Sequence, residues 1–272
     1  MMGNIAKMIV RQDTPVSYDL PVGDARVDMN AAIGKQVSLK YTGEIHCVAC
    51  GRLTKKSFNQ GYCYPCFRSL AACDMCIMKP ETCHFDQGTC REPEWAMNHC
   101  MQPHYVYLAN SSGIKVGITR GSQVPTRWID QGATQALPIF KVATRLQSGL
   151  LEVEIKNHVS DRTDWRKMLK GDAEPVDLEM LRDELTEKSA PRIDELMEQY
   201  GESAIEFLPN AEVTCIDYPV ETYPEKVKSL NLDKQALIEG HLQGIKGQYL
   251  ILDTGVLNIR KYSGYNIELE IK

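Results

Sequence analysis

The sequence predicts an α+β protein built from a cysteine-rich metal-binding segment, a small mixed strand–helix module and a β-rich, barrel-like C-terminal domain. Three observations predict it. Nine of the ten cysteines lie between Cys47 and Cys100. Residues 105–160 alternate short strand and helix patterns, and from Ala211 onward apolar alternation is broken by glycines at turn spacing. The 272 residues are 43% hydrophobic and 25% charged, an ordinary globular composition. No run approaches the ~18 apolar residues of a membrane helix, and the start MMGNIAKMIV lacks a secretory signal. The expected compartment is the cytoplasm, with no membrane partner.

Five stretches follow along the chain. Residues 1–45 read as β: Val37, Leu39 and Tyr41 alternate after a Gly34–Lys35 turn. Residues 46–104 are the cysteine-rich segment, too poor in large aliphatics to build a core and therefore in need of a staple. Residues 105–165 open with a hairpin, YVYLAN and GIKVGIT around Asn110–Gly113. Ser122 is placed to cap a short helix through Trp128, LPIFKVATRL reads as a third strand, and Ser148 is placed to cap a helix with Leu150, Leu151, Val153 and Ile155 on its apolar side. Residues 166–210 read as acidic helix, restarted at Pro191. Residues 211–272 return to strands, with Cys215 expected in the core. The strands at 36–45 and 241–252 share a pattern, which predicts that the two ends pair.

Charge is uneven. Residues 105–170 carry ten Lys or Arg against five Asp or Glu, a local +5; residues 171–210 carry three against twelve, a local −9. A basic stretch in a chain of net charge −5 suits a polyanionic partner. The acidic helices offer a surface for a protein partner.

The cysteines carry the sharpest signal. Cys47 and Cys50, then Cys63 and Cys66, form two CxxC pairs. Each pair sets two thiolates on one tight turn, and together they complete a tetrahedral S4 shell for a structural Zn2+. Gly51 suits the knuckle of the first pair. The remaining candidates are Cys73, Cys76, Cys83, His84, Cys90, His99, Cys100 and His104. A second zinc is expected at Cys73, Cys76, Cys90 and Cys100, with Cys83 as substitute for either of the last two. An iron–sulfur cluster is the alternative, although the compact CxxCxxC run is absent.

Tyr105-Val-Tyr107, then Lys115-Val-Gly117-Ile-Thr119, Arg127, and Glu154 with His158 together resemble the GIY-YIG nuclease superfamily, in its branch with Lys opening the second motif. The likeness spans about residues 104–160. With the zinc cysteines ahead of it, most of the chain is similar to an uncharacterised bacterial family of unknown function. The superfamily likeness implies a three-stranded antiparallel sheet flanked by helices. It implies that Tyr107, beside Tyr105, activates a water, and that bare Gly117 lets substrate approach. It also implies that Arg127 contacts phosphate and that Glu154, rather than Glu152, holds one Mg2+ or Mn2+. Lys115, Arg120 and Arg127 would favour the Tyr107 phenolate. Departures are Lys115 itself, a longer Gly117–Arg127 gap, and Gln131 where many members carry His.

Two functions follow. One is metal-dependent phosphodiester hydrolysis of nucleic acid, DNA ahead of RNA, gripped by the fingers and by Lys115, Arg120, Arg145, Arg162, Arg166 and Lys167. The other is a zinc-finger nucleic-acid-binding protein, DNA or RNA, without hydrolysis. A scaffold for protein partners is a third reading.

Overall fold

The computed structural model describes residues 1–159 and 164–272. Its strands and helices form three sheets and two main cores.

The N-terminal strands are β1 (Met2–Asn4), β2 (Ile9–Arg11), β3 (Ser17–Val22), β4 (Ala25–Asp28), β5 (Gln36–His46) and β6 (Leu53–Thr54). Short helices follow: α1 (Tyr64–Ser69), α2 (Met75–Met78) and α3 (Pro93–His99). Next come β7 (His104–Asn110), β8 (Ile114–Arg120), α4 (Thr126–Asp130), β9 (Gln135–Val142), α5 (Arg145–Ile155), α6 (Trp165–Met168) and α7 (Leu178–Tyr200). The chain closes with β10 (Ile205–Phe207), β11 (Thr214–Cys215), β12 (Leu237–Lys246), β13 (Tyr249–Leu252), β14 (Gly255–Asn258) and β15 (Tyr265–Ile271).

The two ends of the chain do share a sheet. β5 lies between β15 and β12, with Leu39 opposite Leu269 on one side and Ile238 on the other. Alternation explains the pairing: Val37 and Leu39 point to one buried face, as do Ile238 and Leu242. The sheet runs β1-β15-β5-β12-β13-β14 and stays open, because its two end strands, β1 and β14, do not pair with each other. This corrects the barrel-like expectation. The core is closed by packing instead, since Tyr18, Leu20 and Val22 of the separate β2-β3-β4 sheet join the same cluster.

The second sheet has the order β10-β9-β7-β8, with β11 also on β9. Its centre is the expected hairpin plus third strand, and α4 and α5 follow β8 and β9 in the expected order. β7 is buried on both faces. Val106 and Leu108 join the core under α5 and α7, while Tyr107 and Ala109 join the core shared with the terminal strands. A strand sandwiched in this way reads as a near-continuous buried run.

Helix boundaries differ from expectation at three points. Thr144, not Ser148, caps α5, and Gln147 completes a capping box; Ser148 is one turn inside, its hydroxyl donating to the Arg145 carbonyl at 2.7 Å. Pro125, not Ser122, precedes α4. α7 runs unbroken through Pro191. Pro191 forfeits one backbone bond, but Leu185, Ser189, Ile193 and Leu196 keep one stripe of α7 buried across it. Asp177 caps α7 by accepting from the Met180 amide at 2.9 Å. Cys215 lies in β11 as expected but is exposed, because a two-residue edge pairing leaves its outer side uncovered. Among the described residues no helix is long and apolar enough to cross a membrane.

Helix α5 is the seat of the cysteine-rich segment. A Cβ on Gly149 would stand 2.5 Å from the Glu81 amide nitrogen and the Pro80 Cβ, so only a bare Cα lets the two meet. Gly149→Ala gains about 1 kcal/mol of helix propensity but forces backbone apart, which costs about 1–3 kcal/mol. The clash is with backbone, which cannot swing aside, so the expected outcome is net destabilisation, read as a lower urea midpoint with unchanged slope.

Candidate functional site

Two features stand out in the cysteine-rich half and the face it meets. The first is a thiolate cluster. Cys47 follows β5 and opens a knuckle closed by the Gly51 amide donating to the Cys47 carbonyl at 2.9 Å, with Gly51 at φ 69° as the turn requires. Cys63 and Cys66 sit at the start of α1, preceded by a short loop in which Phe58 packs on Tyr64 and Phe67. The four sulfurs lie within 4.8 Å of one another, with Cys50 and Cys63 3.8 Å apart. A tetrahedron with zinc–sulfur bonds of ~2.3 Å has edges of about 3.8 Å, so the donor set fits one zinc. Burial raises the Cys47 thiol, but amides of Cys63, Cys50 and Ala49 aimed at its sulfur outweigh this and bring it down to about 6. Such amide donors hold a thiolate ready for a cation.

Cys73 stands elsewhere. It accepts from the Asn59 side chain at 3.7 Å and does not line the cavity that gathers Cys76, Cys83, Cys90 and Cys100. The second quartet expected from the sequence is therefore not assembled: Cys73 stands apart, and among the described residues the ligand atoms within 4.8 Å of one another in this region are those of Asp74, Cys76 and His84. His99 stacks on Trp95 and His104 is fully buried in β7, so neither joins the cavity's walls.

The second feature is a cleft of about 800 Å³ between the cysteine-rich segment, β8, α4, α5 and the C-terminal turn. Seven cations line it: Lys7, Lys115, Arg120, Arg127, Arg145, Lys156 and Arg260. Among the described residues only Asp130 and Glu152 oppose them, a local +5. Lys7 meets Asp130 at 2.9 Å and Lys156 approaches Glu152 at 3.8 Å. Burial lowers Arg145 below the usual guanidinium value, and among the charges the one on Arg127 presses the same way. Burial and then Arg127 lower Arg260 likewise. Like charges held together off water mark a site prepared for an anion.

Tyr107, Lys115, Gly117 and Arg127 all reach this cleft. Tyr107 is fully buried, donates to Gln131 Oε1 at 3.1 Å, and also bonds Arg127. Lys115 donates to the same Gln131 oxygen. Gln131 thus ties Tyr107 and Lys115 together on the cleft wall. Burial raises the Tyr107 phenol despite Arg127, with the Glu152 charge pushing it further up. The expected phenolate is not favoured, because desolvation outweighs the nearby cations. Gly117 lines the cleft, and a Cβ there would stand 2.7 Å from the Tyr107 hydroxyl. Its bare backbone makes room for the Tyr107 ring, which lies across its cross-strand partner.

Tyr105 and Glu154 do not line the cleft. Tyr105 packs beside Gly121. Glu154 approaches His158 at 3.7 Å, while Glu152 faces the cleft. Two positions on a helix are about 200° apart, so only one of the two carboxylates can face in. Of the basic set, Lys115, Arg120 and Arg145 line the cleft. Arg166 covers the Trp165 ring at 4.3 Å, Lys167 is not in the lining, and Arg162 lies outside the described residues. Trp128 is buried edge-on against Tyr107, which leaves it no face for a base. The sequence reading missed Lys7, Glu152, Lys156 and Arg260. Glu152 and Lys156 had a signal in their i,i+4 spacing next to buried Leu151 and Ile155; Lys7 and Arg260 had none.

These features define a mixed α+β protein with a four-cysteine cluster that could hold a zinc beside a cationic cleft. Over residues 34–267 the chain matches the family described as "Protein of unknown function (DUF2797)", and it belongs to that family. Comparison with curated proteins and with solved structures finds no match.

Two outcomes are expected. Gly117→Ala should displace the Tyr107 ring and destabilise the fold by about 1–3 kcal/mol, measurable by urea unfolding. His104 donates through Nδ1 to the Gln102 carbonyl at 2.6 Å, and burial pulls its pKa down to about 4. An unfolded histidine titrates near ~6.5. Between those values the unfolded state binds more protons, so stability falls as pH drops from about 6.5 toward 4. From pH 7.5 to 5.5 this residue should cost about 1 kcal/mol. His104→Asn should remove that part of the loss, read as the difference between the two proteins' unfolding free energies at the two pH values.

Proposed function

We propose that this protein binds nucleic acid, DNA ahead of RNA, by holding its phosphodiester backbone in the basic cleft. The observation that carries this is the cleft's local +5, built from seven side chains on five separate segments. Seven cations suit a run of phosphates rather than one small anion. The cleft has residues of the finger segment on one side and of β8 and α4 on the other. The order β7-β8-α4-β9-α5, with Tyr107, Lys115, Gly117 and Arg127 meeting at one place, supports the likeness to the GIY-YIG superfamily. On this reading Arg127 and Arg145 grip phosphate oxygens, Lys115 and Gln131 set the cleft floor, and the zinc centre fixes the opposite wall.

Hydrolysis is a second reading, favoured by one observation: Tyr107, Arg127 and Glu152 line the same cleft. Glu152, in place of Glu154, would hold a Mg2+ or Mn2+ together with substrate oxygens, and the ion would neutralise charge on the leaving group. Tyr107 would then donate a hydrogen bond, because its raised pKa makes it a poor base.

Fluorescence anisotropy with labelled single-stranded and duplex DNA tests the binding. The plot of log K against log salt should slope downward, and Arg127→Ala or Arg120→Ala should each shallow it by about 1. Lys188→Ala, on the outer face of α7 beside Glu184, should leave it unchanged. Salt-independent or absent binding would overturn the proposal. The same protein in Mg2+ or Mn2+ tests hydrolysis: cleavage lost in Glu152→Ala and kept in Glu154→Ala supports it, and intact DNA throughout leaves the binding function alone.

A further inference from the structure

The four-cysteine cluster ends at Cys66 and does not hold the chain from Asp74 to Cys100. Short helices and single turns follow one another there with no strand ladder. Within that stretch only Asp74, Pro80, Ala96 and Cys100 are buried, and Met75, Met78 and Met97 are more than half exposed. Such a segment lacks the buried area to offset its conformational entropy. A carboxylate is among its few buried groups, and burying one is costly unless it is paired or holds an ion.

That carboxylate, Asp74, stands at the N-cap of α2, where aspartate ordinarily accepts from a backbone amide. Its side chain makes no cap bond and turns to two other groups instead. Asp74 Oδ2 accepts from Arg91 Nε at 2.7 Å and lies 3.6 Å from His84 Nε2. His84 Nδ1 is 2.8 Å from Thr89 Oγ1, whose hydroxyl donates to the His84 carbonyl at 3.3 Å. With the hydroxyl proton used there, Nδ1 is the donor, and the neutral ring presents a lone pair at Nε2. A protonated Nε2 would draw in to hydrogen-bond length, and 3.6 Å is beyond it. Two donors bound at ~2.0–2.1 Å to one tetrahedral ion stand about 3.4 Å apart, close to the distance found. The Cys76 sulfur joins them: the ligand atoms of Asp74, Cys76 and His84 all lie within 4.8 Å of one another.

We propose that Asp74, Cys76 and His84 hold a second zinc ion, separate from the Cys47–Cys66 cluster, with water in the fourth position. One carboxylate and one thiolate balance the charge of Zn2+, and the imidazole is neutral. Thiolate and imidazole together select zinc over magnesium or calcium. Arg91 and Thr89 stand behind the ligands, one fixing the carboxylate and the other the ring and its tautomer. Cys83, Cys90 and Cys100 line the cavity beside Cys76, but their sulfurs are not in the group within 4.8 Å, so they stay thiols.

The ion ties the start of α2 to the far side of the Pro80–Thr82 turn, closing a loop that has no core of its own. That loop is what α5 rests on: Pro80 and Glu81 meet Gly149, and the Arg145 guanidinium donates to the Ile77 carbonyl at 2.8 Å. Ile77 follows Cys76 directly, so the site also steadies Arg145 at the edge of the cleft.

Native mass spectrometry of the full chain, purified with zinc under reducing conditions, is the test. Two zinc ions per chain are expected. Cys76→Ser and His84→Ala should each hold one, while Cys73→Ser, Cys83→Ser and Cys90→Ser should hold two. One zinc in the wild type, two in His84→Ala, or one in Cys83→Ser and Cys90→Ser would overturn the assignment; so would iron with labile sulfide. A long-range 1H–15N spectrum of the wild type reads the site without any variant. One histidine should be protonated at Nδ1 and metal-bound at Nε2, and should lose the metal-bound shift when a chelator is added. All six histidines unchanged by the chelator would also overturn it.

Discussion

The cysteine-rich segment has no core of its own, and the rest of the molecule is arranged around that deficit. From Cys47 to Cys100 the chain must be held by something other than buried aliphatics. It is held at one end by the tetrathiolate cluster on the tip of β5 and at the other by contact with α5. The second contact depends on a single missing side chain, at Gly149. Because α5 also carries Arg145, Glu152 and Lys156, the seating of the segment and the shape of the cleft are one structural fact. Loosening either would move the charged wall.

The central sheet sets the opposite wall. β7 is packed from both sides, so Tyr107 cannot swing out, and its ring lies across Gly117. That rigidity explains why desolvation dominates the Tyr107 phenol even with Arg127 beside it. The same rigidity holds Arg127, Arg145 and Arg260 in a common field that burial makes costly. Cations kept in this way gain when a polyanion arrives, since its phosphates replace the water they have lost. Preorganised positive charge is the physical basis of the binding reading. It also weighs against Glu152 as a strong cation ligand, because Lys156 already approaches it.

Much of this was legible in the sequence. The two CxxC pairs, the hairpin around Asn110–Gly113 and the pairing of the chain ends each rest on local spacing or simple alternation. The failures have a common cause: they depend on which way an element faces, or on what lies across from it. Glu152 and Glu154 differ by a helix phase that one amphipathic segment with Val153 exposed does not define. Cys73 and Cys83 flank a chain of turns with no period, so only the folded path shows that Cys73 stands apart from the cavity that Cys76 and Cys83 line. Thr144 and Ser148 are equally good caps in sequence, and the end of β9 decides between them. Pro191 is a helix breaker in isolation, yet α7 gains enough burial on both sides to continue. The open sheet could not be told from a barrel, since alternation reports faces and not edges.

The most direct test of the account is where nucleic acid lies on the protein. Single-stranded DNA carrying iododeoxyuridine would be irradiated with the zinc-loaded protein, and the crosslinked peptides mapped. The account predicts crosslinks on the β8–α4 peptide, Ile114–Gln131, and on the α5 peptide around Arg145–Lys156, with none on α7. Crosslinks confined to α7 or to the open sheet of the chain ends, or no crosslinks under conditions where the DNA is bound, would contradict it.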